Sequence, residues 1–182
     1  MKKQWLFIMM ALFLLVSATG CGPIVKLEPE RTRNYNLSAL TQQEKDQIKE
    51  ETKDLNEEQI FWYGITKAKD DLEFTRGNDV KNNKGNCVGY AAYAKQIMDY
   101  GLKVNGFDNR TYHYIGHLEP LGLFNLNSAV CAFLSNEKDK NFFKDHDFVG
   151  IEMDGGRQIL FSPSLYDVFN FGCWTEIKKK NY

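Results

Sequence analysis

Residues 85–101, GNCVGYAAYAKQIMDYG, join a loop to a helix, and the reading of that junction decides the fold. Val88, Ala91, Ala92, Ile97 and Met98 recur on one helical stripe, and Gly101 after Tyr100 has the chemistry of a residue just past a helix end. The preceding stretch 75–86, TRGNDVKNNKGN, is rich in Gly and Asn and reads as loop. Cys87 therefore falls at a helix N-terminus, where unpaired backbone N–H groups and the macrodipole favour an anion. The same groups can hold a developing oxyanion. A lone cysteine is more often a small, inert apolar residue, and placement alone does not choose between the two readings.

Upstream, Thr41 and Glu44 have capping-box spacing, and Lys45 to Leu55 continues as a polar helix. Asn56 caps a second helical segment that runs through Ile60, Phe61 and Ile65 to about Leu72. Downstream the pattern changes to strands. Thr111 to Leu118 alternates, with Thr111, His113, Ile115 and His117 on one face and Tyr112, Tyr114 and Leu118 on the other. Ala129 to Leu134 reads as a short buried run, and Phe148–Met153 and Gln158–Phe161 flank DGGR, a hairpin turn. Helices followed by antiparallel strands predict an α+β fold, with the Cys87 helix packed on an antiparallel sheet.

The chain has 182 residues, enough for one ordinary domain and a tail. Its 23 Lys+Arg stand against 24 Asp+Glu, so no basic footprint points to nucleic acid. The opening MKKQWLFIMMALFLLVSATGC has a basic start at Lys2 and Lys3 and an apolar stretch, Leu6 to Val16, too short to span a bilayer comfortably. Small residues then lead to Cys21. This order resembles a bacterial lipoprotein signal, although Ala18 stands three before the cysteine where Leu is commonest. The resemblance implies cleavage after residue 20 and lipidation of Cys21, which would anchor the domain to a membrane of the cell envelope without spanning it. Residues 21–37, with Gly22, Pro23 and Pro29 and little periodicity, read as a tether, and 38–182 as the domain with its N-terminal helices. Export permits disulfides. Cys87, Cys131 and Cys173 cannot all pair within one chain, so a Cys131–Cys173 bond would leave Cys87 free.

His146 begins the strand HDFVGIEM. Folding about Asp154, Gly155 and Gly156 sets it opposite Ser162 to Ser164, so a polar partner faces the imidazole across the hairpin. An isolated histidine by a turn is ordinarily a surface residue. GNCVGYAAYAKQIMDYGLKV and HDFVGIEMDGGRQILFSPSLYD nevertheless resemble, in order, the nucleophile segment and the His strand of bacterial transglutaminase-like domains, which have the papain-like fold. The two blocks run from Gly85 to Asp167.

The resemblance implies a cysteine hydrolase or acyltransferase in which Cys87 is the nucleophile and His146 the general base. It would act on a peptide or protein substrate, through a thioester formed at a peptide or amide carbonyl. Ser162, before Pro163, stands where that family has an Asp; it can orient an imidazole but brings no charge to stabilise imidazolium. Asp145 and Asp167 are the nearby acids, neither at the matching position. The Cys87 N–H, with Asn86, would line the oxyanion hole, and Trp62 would wall the cleft or lie in the core. The hairpin is also loosely similar to that of cell-wall peptidases of the NlpC kind, which have a different nucleophile segment. A non-catalytic envelope-binding protein on the same fold is the competing expectation, and Ser162 is the feature that favours it. The mechanism requires no cofactor. His113 and His117 share a face but lack an accompanying carboxylate motif, so no metal site is expected, and no acidic loop suggests calcium.

Overall fold

A computed structural model describes residues 25–108, 110–120, 122–169 and 174–178. Strands β1 (Val25–Thr32), β4 (Thr111–Pro120), β5 (His146–Glu152), β6 (Arg157–Phe161) and β7 (Trp174–Lys178) form an antiparallel sheet in the order β1-β4-β5-β6-β7. The pair β2 (Glu73–Phe74) and β3 (Lys84–Gly85) makes a small parallel ladder. Among the described residues six helices accompany them: α1 (Gln42–Glu51), α2 (Glu57–Asp71), α3 (Cys87–Val104), α4 (Leu126–Phe133), α5 (Glu137–Phe143) and α6 (Pro163–Phe169). The class is α+β, as expected.

Two of the helix starts follow the local chemistry of the chain. The Thr41 hydroxyl accepts from Glu44 N at 3.2 Å while Glu44 Oε2 accepts from Thr41 N at 2.6 Å, and Asn56 and Gln59 repeat this exchange on α2. The end of α3 differs from expectation. Gly101 lies inside the helix, because a Cβ there would stand 3.0 Å from Ile60 and 3.3 Å from Thr52; its bareness lets α3 lie close to its neighbours. The chain leaves the helix at Asn105, and the left-handed conformation falls on Gly106, with φ of 78°.

Each face of the sheet carries its own core. Val149 and Ile151 of β5, with Ile159 and Phe161 of β6, pack with Ala91, Ala94 and Met98 of α3 and with the apolar face of α2. Phe148 and Leu160, one residue out of phase, turn to the other face and meet Val25 and Leu27. The sheet curls so that Leu27 N donates to Thr175 Oγ1 at 2.8 Å, joining β1 to β7.

Two expectations are corrected here. Residues 25–32 are not tether but the edge strand β1, with Leu27 fully buried; Pro29, which suggested a linker, sits at a register shift on the sheet edge, where a missing N–H does least harm. Ala129–Leu134 is not a buried run but the end of α4. Asn125 caps that helix by accepting from Ser128 N at 2.8 Å, and Asn127 is its buried residue, receiving Leu118 N and donating to Phe143 O. Cys131 is a free, half-buried thiol within α4; the partner considered for it, Cys173, lies outside the described residues, as do residues 1–24 with Cys21. Among the described residues no helix is long and apolar enough to cross a membrane.

Candidate functional site

Cys87 is the first residue of α3 and Asn86 its N-cap. The loop before them is folded into that cap. Asn86 Oδ1 accepts from Val88 N at 3.0 Å, while Asn78 Oδ1 accepts from Gly89 N at 3.1 Å and from Asn86 N at 2.9 Å. The Asn86 amide nitrogen donates to Arg76 O at 3.2 Å. Both ends of the Asn86 side chain are thus committed to holding the helix start. The structure places Asn86 as a cap, and the helix N–H groups of Val88 and Gly89 are taken.

The Cys87 thiol faces a carboxylate. Its Sγ lies 3.9 Å from Asp147 Oδ2. Asp147 is 1% exposed and is held from its other side by His113 Nε2 at 2.7 Å and Arg33 Nη1 at 3.1 Å. Burial, and after it the Asp147 charge, push the Cys87 thiol up to about 11. The thiol is therefore protonated at neutral pH. A cavity of about 260 Å³ beside this cluster is lined by Arg33, Tyr35, Lys95, Asp99 and His113 among others.

His146 is on the other face of the sheet. Asp147 shares its phase with Val149 and Ile151, which pack on α3; His146 shares its phase with Phe148, on which its ring stacks with centroids 6.4 Å apart. Its Nε2 lies 2.8 Å from Ser162 Oγ, so the cross-hairpin partnership expected from the turn is present. Burial pulls the imidazole down to about 4, and the Asp147 charge opposes that only in part. Among the described residues no hydrogen bond joins Cys87 to His146. The structure brings together His146 and Ser162, and separately Cys87 and Asp147.

Trp62 packs edge-on to Phe61 and Phe161, each at 5.1 Å between ring centroids, and is part of the main core's flank. Asp167 lies 2.6 Å from the Tyr90 hydroxyl and Asp145 pairs with Arg31 at 3.7 Å, so the two acids near Ser162 and His146 in sequence are engaged elsewhere. His117 sits between Glu30 and Glu119, at 2.9 and 3.0 Å. Among the described residues no group of three or more His, Cys, Asp or Glu side chains is arranged to hold a metal ion.

Asp147 with His113 and Arg33 is the part that sequence reasoning missed. A signal was present: Val149, Ile151 and Met153 alternate, and extending that phase backwards reaches Asp147, not His146. Phe148, also apolar, obscured the phase. No family model, curated protein or solved structure matches the chain.

Proposed function

We propose that this chain is an exported lipoprotein, held at the cell envelope through an acylated Cys21, whose transglutaminase-like, papain-like domain binds a peptide or protein ligand without forming a thioester. The observation that carries this reading is the Cys87 thiol facing the Asp147 carboxylate, with the imidazole expected to activate it on the opposite face of the sheet. A carboxylate beside a thiol opposes thiolate formation, and a capped helix start offers few free N–H groups to an oxyanion. The cavity lined by Arg33, Lys95, Asp99 and His113 presents both donors and acceptors, which suits the amide groups and charged ends of a peptide.

A cysteine hydrolase is the second reading, and the His146–Ser162 contact favours it, since this is the pairing of a general base with its orienting residue. In that chemistry a Cys87 thiolate attacks a peptide or amide carbonyl, and water or an amine resolves the thioester. It requires Cys87 and His146 to share a face.

The pH dependence of Cys87 alkylation, followed by peptide mass so that the other thiols are separated, tests the two. The expected result is an apparent pKa above the usual value of about 8.5, indifferent to His146→Ala and lowered by Asp147→Asn. A thiol pKa well below about 8.5 that returns towards it in His146→Ala would overturn the binding reading in favour of the hydrolase.

A further inference from the structure

The corner of the sheet where the chain enters also carries an exposed apolar turn. Val25, the first residue of β1, pairs with Pro120, the last of β4, and Lys26 pairs with Glu119. Past Pro120 the chain turns at once, with Gly122 N donating to Glu119 O at 3.2 Å and Leu123 N to Pro120 O at 3.0 Å. Leu123 is 74% exposed and Phe124 49% exposed. Lys26, itself exposed, reaches over this turn: a Cβ on Gly122 would stand 3.6 Å from its ammonium nitrogen. Glu119, the acid next to the turn, is engaged by His117 at 3.0 Å.

Cys21 lies only four residues before Val25, and an extended chain of that length reaches at most ~14 Å. An acyl anchor on Cys21 would keep this corner within a short reach of the bilayer. We propose that the Leu123–Phe124 turn is a second membrane contact, seating two apolar side chains at the boundary of headgroups and acyl chains while Lys26 meets anionic headgroups. The inference rests on the reading of Cys21 as lipidated. An apolar tip with a neighbouring lysine is the side-chain pairing that suits such an interface, because the lysine stem lies along the apolar region and its ammonium stays in the headgroup layer. Contact at a second point fixes the orientation of the domain, which a flexible lipid anchor alone would leave free.

The test uses the mature full-length chain reconstituted in vesicles of phosphatidylethanolamine and phosphatidylglycerol, with and without brominated acyl chains. Phe124→Trp, and independently Leu123→Trp, add an indole whose emission brominated chains quench only on contact. At least twofold stronger quenching of the added emission than of wild-type tryptophan emission is expected. Quenching no greater than that of the wild type in both variants overturns the proposal, whatever the state of Cys21. The mass of the N-terminal peptide reports acylation separately: a lipidated Cys21 with an unquenched indole keeps the anchor and removes the contact, and an unmodified Cys21 with a quenched indole does the reverse.

Discussion

Asp147 and His146 are neighbours in sequence and occupy opposite faces of β5, so a single step along the strand decides which of them meets α3. The consequence for chemistry is large. Asp147 beside the thiol raises its pKa, whereas an imidazole there would have lowered it. His146, enclosed with Ser162 and Phe148, is held neutral, its pKa depressed from the ordinary 6.5 to about 4. A folded-state pKa below the unfolded one means that the unfolded chain binds the proton more readily between those values. The associated stability is present in full above about pH 6.5, falls as the pH drops, and is gone by about pH 4. At pH 5 the loss should be about 2 kcal/mol, since a tenfold difference in proton affinity is worth about 1.4 kcal/mol. Thermal melts of wild type and His146→Gln between pH 7.5 and 5 should show a steeper decline for the wild type. Parallel curves would contradict the enclosed imidazole. Comparing the two proteins also cancels His117, which acts in the opposite sense: burial lowers its pKa, but the bonds from Glu119 and Glu30 prevail and raise it, so its contribution is lost as the pH rises.

Among the elements, legibility followed the range of the forces involved. The capping residues of α1 and α2 are within a turn of the groups they bond, and their positions were readable from spacing. The hairpin after β5 was equally local, with Gly155 and Gly156 taking φ of 77° and 74°. The edge strand β1 was not readable, because its partner lies some ninety residues away and Pro29 with its charged neighbours gives it a linker's composition. The contact between β1 and β4 depends on Gly116, where a Cβ would come within 2.0 Å of Glu28 O. Gly116→Ala should therefore push β1 off the sheet or bend it, destabilising the protein by ~1–3 kcal/mol. A lower Tm with faster amide exchange confined to β1 and its neighbours is the expected signature, and an unchanged Tm would show that the edge gives way freely.

For the whole molecule, the first described residues belong to the core. Leu27 is fully buried with Phe148 and Leu160, and its amide closes the curl against Thr175 near the other end of the chain. Leu27→Ala should lower stability by ~2–5 kcal/mol, the usual range for truncating a buried leucine, as read by denaturant unfolding. A loss below about 0.5 kcal/mol, typical of an exposed position, would return residues 25–32 to the role of tether. Sequence alone established the α+β class, the starts of α1, α2 and α3, the hairpin register and the pairing of His146 with Ser162, because caps, turns and periodicities act over a few residues. The tertiary structure alone decided that β1 joins the sheet, that Trp62 packs among core aromatics, and that Asp147 rather than His146 meets Cys87. Those outcomes turn on which face of a strand each helix covers, and that is settled by the burial of side chains far apart in the chain.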